Sequence, residues 1–176
     1  MTQAFSLAVL DHWSAEEVEA LCDVLIDCVE GGDSIGFMWP MTRLKAQTFW
    51  EGALASAERG ERTIIVARDP SGTIVGTVSV IWAGPENQPH RADVAKMQVH
   101  RRARRHGVGA QLLAAAEEVA MKAGRTVLVL DTASPAAERL YSRGNWTRCG
   151  VIPKYALMPD GAYCDTTVFY KVIRDL

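Results

Sequence analysis

A run of arginines and two closely spaced glycines lies between a stretch with strand character and a stretch with helical periodicity. The glycines are Gly107 and Gly109, and Arg104 and Arg105 come just before them. Backbone N–H groups at a helix start lack intrahelical partners and carry partial positive charge, so such a turn can bind an anion. The spacing Arg104-x-x-Gly107-x-Gly109 is shorter than the dinucleotide fingerprint and lacks the Gly-Lys-Ser/Thr ending of a nucleoside triphosphate loop. We therefore predict a different phosphate-bearing ligand.

This turn resembles the acetyl-coenzyme A site of the GCN5-related N-acetyltransferases (GNAT), whose signature is Gln/Arg-x-x-Gly-x-Gly/Ala between a strand and a helix. The resemblance implies that loop amides hold the coenzyme pyrophosphate and that the preceding strand bonds the pantetheine arm along its exposed backbone. The residues given these roles are Met97, Gln98, Val99, Arg104, Arg105, His106, Gly107, Val108 and Gly109. Arg105 stands where the family usually has glycine; its side chain would either crowd the phosphates or add charge toward them, and we favour the second.

A second motif of the family, Ala-x-x-Leu/Phe-Tyr followed by Gly-Phe four residues on, is matched by Ala137, Leu140, Tyr141 and Trp146, with Asn145 in place of the usual glycine. Ser134 replaces the usual asparagine just before this motif. The resemblance implies that Ser134 and Ala137 contact the coenzyme and that Tyr141 protonates, or hydrogen-bonds to, the departing thiolate. The alternative for Tyr141 is a core residue.

A narrower resemblance is to the tabtoxin-resistance acetyltransferases. It is carried by Gly31–Met38, Arg91–Lys96, Leu130–Thr132 and Pro153–Gly161. The acceptor in that subgroup is the toxic β-lactam amino acid released from tabtoxin, and two acidic positions assist removal of the amine proton. Asp93, where the subgroup has glutamate, and Asp131 match those positions. The alternatives are that Asp131 caps a turn or helix and that Asp93 is a surface carboxylate.

The segment from Gly31 to Pro40 is rich in glycine and large apolar side chains, and it has two interpretations. It is either a turn whose Phe37, Met38 and Trp39 fill the core, or a loop that lines an acceptor pocket. The narrower resemblance favours the loop. It implies that Asp33, Ser34 and Phe37 bind the acceptor.

The rest of the chain supplies the elements that position these residues. Hydrophobic periodicity and turn signals predict strands at 4–10, 62–68, 73–83, from 92 to the arginine-rich turn, 126–130, 147–152 and 166–172. They predict helices from a capping box at Ser14 to Gly31, over 42–59 with Leu44 on its apolar side, over 110–122 and over 135–142. This order agrees with the GNAT fold. We expect an α/β protein with a mixed, mostly antiparallel sheet of about seven strands flanked by about four helices, as one domain over residues 1–176.

Composition limits the classes of partner. The 176 residues are 48% apolar and 23% charged with a formal net charge of -2, which is ordinary globular composition and gives no overall basic field for nucleic acid. We expect neither a membrane span nor a secretory leader, and therefore a cytoplasmic protein without a membrane partner. The four cysteines lack metal-ligand spacing, so we expect no metal.

The sequence therefore predicts an N-acetyltransferase that transfers an acetyl group from acetyl-coenzyme A, its co-substrate, to a primary amine of a small molecule. A toxin-like or antibiotic-like amino acid is the favoured acceptor, and transfer would occur directly in a ternary complex. Two alternatives are a peptide or protein N-acetyltransferase and a non-catalytic acyl-coenzyme A sensor. The chain is expected to be a monomer or a homodimer.

Overall fold

The computed structural model describes residues 5–174, and the elements in that range follow the predicted order. The strands are β1 (Ser6–Val9), β2 (Arg62–Arg68), β3 (Ile74–Trp82), β4 (Arg91–Val99), β5 (Val127–Thr132), β6 (Thr147–Leu157) and β7 (Tyr163–Val172). The helices are α1 (Ala15–Glu30), α2 (Arg43–Glu58), α3 (Val108–Lys122) and α4 (Pro135–Arg143), with a short 3-10 turn at Arg101–Ala103. The predicted fold class is confirmed. Residue 4 of the predicted first strand lies outside the described residues.

Local sequence signals set several helix ends. The Ser14 side chain accepts a hydrogen bond from the Glu17 amide, and the Glu17 carboxylate accepts one from the Ser14 amide, which is the predicted capping box. These bonds satisfy two N–H groups that the helix itself leaves without partners. Pro135 occupies the first turn of α4, where its fixed backbone angle suits a helix and its missing N–H costs nothing.

The strands form one sheet in the order β1-β2-β3-β4-β5-β7-β6. All neighbours are antiparallel except β4 and β5, which are parallel. The final hairpin folds back so that β7 lies beside β5 and β6 forms an edge. Because β4 and β5 are parallel, their carboxyl ends lie at the same end of the sheet. The segments that follow the two strands therefore begin near each other.

Two apolar clusters lie on opposite faces of the sheet. On one face, α3 packs on inward-facing strand residues such as Val80 and Leu128. On the other face, α1 and α2 cover Ile64 and Val66. Trp50 of α2 is fully buried there, and its indole N–H donates to the carbonyl of Leu21 at 3.0 Å. Burial of these side chains on both faces removes a large apolar area from water.

The prediction for Leu44 was wrong, because this side chain is 72% exposed. The buried residues of α2 nearest the core, Ala46, Trp50 and Ala53, are spaced by four and three positions and form one stripe. Since each residue advances about 100° around a helix, Leu44 lies on the opposite side from that stripe.

Candidate active site

A cleft opens where β4 and β5 separate. The parallel pairing runs only from Arg91 opposite Val127 to Asp93 opposite Val129, although β4 continues to Val99 and β5 to Thr132. Beyond Asp93, the edge of β4 that faces β5 therefore has no strand partner. Its backbone polar groups are available to an extended ligand, which fits the predicted contact with a pantetheine arm.

The turn from His100 to Gly109, here named the phosphate turn, follows β4 directly. Gly107 is the N-cap of α3, with a left-handed φ of 79° and no side-chain cap. The backbone N–H of Gln111 donates to the Gly107 carbonyl. The backbone N–H groups of Val108 and Gly109 come before this hydrogen bond in the chain, in the first turn of the helix. The uncapped helix start fits the phosphate groups of a coenzyme.

Three of the four arginines of the phosphate turn form ion pairs. The pairs are Arg101 with Asp27 at 2.9 Å, Arg102 with Asp69 at 3.3 Å and Arg104 with Asp33 at 2.6 Å. Arg105 is exposed, has a left-handed φ of 65°, and has no carboxylate partner within residues 5–174. Among the four arginines of the turn, Arg105 is therefore the one whose guanidinium has no ion-pair partner in the described chain.

The Arg104 side chain connects the end of β4 with the segment that follows α1. Its Nε donates to the Val99 carbonyl at 2.9 Å, and its Nη2 donates to Asp33. Partial burial is the largest single influence on the pKa of Arg104 and lowers it, but the charges of Asp33 and Cys28 and the hydrogen bonds to them together outweigh burial, so the net shift is upward. A side chain predicted to bind phosphate thus bonds a residue predicted to bind the acceptor.

The other residues predicted to bind the coenzyme differ in how their side chains are buried and bonded. The Gln98 side chain is buried, and both its amide atoms lack partners among the described residues, whereas Met97 is half-buried against the α3 core. The Ser134 hydroxyl caps α4 by accepting from the Ala137 amide at 3.3 Å. The Gln98 side chain is thus turned away from solvent, and the roles predicted along β4 depend on its backbone.

Tyr141 lies in the core, near the C-terminal end of α4. Its ring packs against Trp146 and Phe169, with centroids 6.0 and 5.6 Å away. Burial, helped by the negative charge of Asp131, raises the pKa of Tyr141 to about 12. The structure thus shows a core position for the ring, and the role of the hydroxyl toward the thiolate stays a prediction.

The two predicted catalytic aspartates lie on one face of the sheet. Asp93 is paired across the sheet with Val129, which precedes Asp131 by two residues, so both side chains project on the same side. Asp131 is exposed and its Oδ2 accepts from the Thr166 hydroxyl at 2.6 Å. Asp93 instead accepts from Arg91 at 2.6 Å, in the part of β4 that is still paired with β5.

The segment from residue 31 to residue 40, here named the acceptor loop, bonds to the final hairpin. The Ser34 hydroxyl donates to the Leu157 carbonyl at 3.4 Å, and the Trp39 amide donates to the Pro159 carbonyl at 3.0 Å. Phe37 packs edge-on against Phe49 with centroids 5.3 Å apart. Met38 and Trp39 are 38% and 49% exposed, so the interpretation of both as core residues was wrong.

Lys96 is a cleft residue that the sequence analysis did not select. It lies on β4 at a bulge, with a left-handed φ of 53°, and its ammonium lies 2.6 Å from the Ile35 carbonyl in the acceptor loop. The sequence did contain a signal for this residue, namely a lysine inside the strand that ends at the predicted coenzyme-binding turn. The bulge that directs it into the cleft was not visible in the sequence.

Two properties of residues 5–174 bear on metals and membranes. Within that range, histidine, cysteine and carboxylate side chains form no cluster of three or more suited to a metal ion. In the same range, every helix is too short or too polar to cross a bilayer.

Comparison with known proteins identifies the class to which this fold and cleft belong. The family model for the acetyltransferase (GNAT) family matches residues 18–145. An uncharacterised N-acetyltransferase from the hisH–hisA intergenic region of Azospirillum brasilense is 31% identical over 124 residues, covering 69% of this chain and 71% of that protein. The chain therefore belongs to the GNAT family, and the predicted enzyme class, an acetyl-coenzyme A-dependent N-acetyltransferase, is confirmed.

Solved structures agree in fold. An N-acetyltransferase from Staphylococcus aureus Mu50 has a TM-score of 0.79 at 16% identity, covering 97% of this chain and 99% of its own. The yncA protein of Salmonella typhimurium, solved with its cofactor acetyl-CoA, has a TM-score of 0.79 at 16% identity, covering 98% and 96%.

Proposed function

We propose that the enzyme acetylates a primary amine of a small molecule by direct transfer within a ternary complex. The observation that carries this proposal is the separation of β4 from β5 beyond Asp93 and Val129, because Asp131 lies on β5 just past that point. The Asp131 charge also contributes, after burial, to the raised pKa of Tyr141. Asp131 can accept a proton, and Tyr141 can act as a donor. Acyl transfer to an amine needs both, because the amine loses a proton and the thiolate leaves with negative charge.

Asp131 is proposed to take the proton of the acceptor, directly or through a water. A free alkyl ammonium has a pKa of about 10.4, so at neutral pH only about one molecule in a few thousand is a nucleophile. Asp131 has one oxygen bonded to Thr166 and lies exposed at the end of β5. Asp93 is held by Arg91 in the paired part of the strands, which supports Asp131 as the base.

Tyr141 is proposed to stabilise the departing thiolate by donating a hydrogen bond. With a pKa of about 12, its hydroxyl stays protonated at neutral pH. A thiol has a reference pKa of about 8.5, so complete transfer of the tyrosine proton to a thiolate would be uphill. A hydrogen bond to the developing charge avoids that cost, while the acceptor nitrogen forms its bond to the acetyl carbon and the carbon–sulfur bond breaks.

The anchored acceptor loop supports a small acceptor rather than a peptide. Bonds from Ser34 and Trp39 hold this loop against the final hairpin, whereas a peptide substrate needs an open groove. A toxin-like or antibiotic-like amino acid is the proposed class, and Asp33, Ser34 and Phe37 are proposed to line its pocket. Support for that class comes from the resemblance to the tabtoxin-resistance enzymes.

The test is release of free thiol from acetyl-coenzyme A with a panel of amino acids, β-lactam amino acids, aminoglycosides, polyamines and peptides. We expect selective turnover of small amino acids. Tyr141→Phe should lower kcat by about 100-fold while leaving coenzyme affinity unchanged, and Tyr163→Phe, at an exposed hairpin position, is the control. Turnover of peptides alone would contradict the small-molecule proposal. Tight coenzyme binding without any turnover would indicate the sensor alternative.

A further inference from the structure

Lys96 reaches the cleft because β4 is irregular at that point. The register between β3 and β4 shifts between Thr77 and Ser79, opposite the bulge that contains Lys96. A bulge adds an unpaired residue and can redirect a side chain, and such features are frequent beside active sites. Left-handed backbone is also unfavourable for lysine, so the surrounding structure must hold the residue in this conformation.

The Lys96 side chain is half-buried, and its ammonium has no carboxylate partner among the described residues. It donates to the Ile35 carbonyl, and it lies 5.4 and 5.7 Å from the ring centroids of Phe37 and Phe49. Within residues 5–174, no carboxylate oxygen lies within the 4.0 Å of an ion pair with this group. An ammonium has three N–H donors, so two remain for a ligand.

The charges that act on Lys96 are the Asp131 carboxylate, of opposite sign, and the Arg62 guanidinium, of like sign. Burial lowers the pKa of Lys96, and this outweighs the opposing attraction of the Asp131 carboxylate. The Lys96 ammonium lies against Phe37, which packs with the α1–α2 cluster, whereas Leu130, the neighbour of Asp131 in the strand, belongs to the opposite cluster. Lys96 and Asp131 therefore lie on the same face of the sheet. The cleft offers one carboxylate and one partly desolvated ammonium, which are complementary to a molecule that carries both an ammonium and a carboxylate.

We infer that Lys96 binds the carboxylate of the acceptor, so that the substrate is an amino acid whose amine faces Asp131 and whose carboxylate faces Lys96. This inference rests on the proposed function and adds to it the residue that recognises the carboxylate of the amino-acid acceptor. A polyamine or an aminoglycoside would bring further positive charge toward Lys96 without a partner for it, and such acceptors are disfavoured. Lys96 is thus a residue that determines specificity.

A competing role for Lys96 is to support the acceptor loop through its bond to Ile35. The chain contains a matched control for that role. Lys45 Nζ donates to the Pro40 carbonyl at 3.0 Å, so it too is a lysine bonded to a carbonyl of the acceptor loop. Lys45→Met removes such a loop contact, whereas Lys96→Met removes both a loop contact and the cleft cation.

The experiment compares each amino acid that is turned over with its carboxamide, at saturating acetyl-coenzyme A and with rates corrected to the unprotonated amine. For the wild type, kcat/KM should favour the acid by about 10- to 100-fold, as expected for a hydrogen bond between charged groups. Lys96→Met should reduce this ratio to near one and leave the affinity for the coenzyme unchanged. Lys45→Met should keep the wild-type ratio.

Two results would overturn the inference. One is a wild-type ratio near one, and the other is a loss in Lys96→Met that is equal for acid and amide, which indicates loop support alone. If no amine is turned over, the proposed function fails, and calorimetric titration of the coenzyme A-bound protein with the same amino acids and carboxamides tests Lys96 separately. Acid-selective binding that Lys96→Met abolishes supports the inference, and equal or absent binding of both ligand types by the wild type contradicts it.

Discussion

The guanidinium of Arg104 lies 2.6 Å from the carboxylate of Asp33, which joins the phosphate turn to the acceptor loop. The two residues are 71 positions apart in sequence. Each side chain is about one third exposed, at 37% and 35%, so solvent screens the pair only in part. The ion pair therefore connects the region that would hold the coenzyme with the region that would hold the acceptor.

We expect this ion pair to contribute modestly to stability. A double-mutant cycle of Asp33→Asn and Arg104→Gln should give a coupling of about 0.5–1 kcal/mol in the free energy of unfolding, measured by urea denaturation. The exposed pair of Glu118 and Lys122 on α3 is the control and should couple less. A coupling for Arg104 and Asp33 that is no larger than this control would show that the two charges do not interact measurably.

Arg105→Gly should weaken binding of acetyl-coenzyme A without loss of stability. The substitution removes the turn's unpaired cation, and we expect a decrease in affinity of roughly three- to tenfold by calorimetry, because the site is exposed and screened. Glycine also tolerates a φ of 65° at no steric cost. Lys154→Gly makes the same exchange at an exposed basic residue with φ 53° on β6 and should leave affinity unchanged. Unaltered affinity in Arg105→Gly would assign phosphate binding to the backbone amides alone.

The pKa of Tyr141 predicts a pH dependence of stability. Since its pKa is raised from about 10 to about 12 in the folded state, the associated stability is fully present below pH 10 and is lost as the pH rises toward 12. Phenolate absorbance should show one of the four tyrosines titrating near pH 12, and Tyr141→Phe should remove that component. Removal of a component near pH 10 instead would contradict the assignment. Any fall in activity between pH 7 and 10 must then come from another group.

Two adjacent buried threonines provide a paired test of the Asp131 site. Thr166 donates to Asp131 and Thr167 donates to Glu138 at 2.9 Å. Replacing either with valine should cost about 1–3 kcal/mol in the free energy of unfolding, because a hydrogen bond to a charged group is lost.

Only Thr166→Val should also reduce kcat/KM, by about tenfold, since the proposed base loses the group that orients it. Steady-state kinetics and urea denaturation of both variants separate the two effects. Equal kinetic losses in Thr166→Val and Thr167→Val would remove the special role of the Asp131 contact.

Local signals in the sequence account for much of the fold. The capping box at Ser14, the proline at the start of α4 and the glycine that begins α3 each act within a few residues, so they are readable without tertiary information. The order of strands and helices also followed from hydrophobic periodicity. The error at Leu44 shows the limit, because the buried stripe of a helix depends on what packs against it.

By itself, the sequence determined the order of elements, the glycine-containing phosphate turn and, through family resemblance, the class of enzyme. Only the tertiary structure decided that β7 lies between β5 and β6, that Arg104 bonds Asp33, and that a bulge turns Lys96 into the cleft. The physical reason is range: caps and turns arise from neighbouring residues, whereas strand order, ion pairs and bulges arise from contacts between segments far apart in the chain.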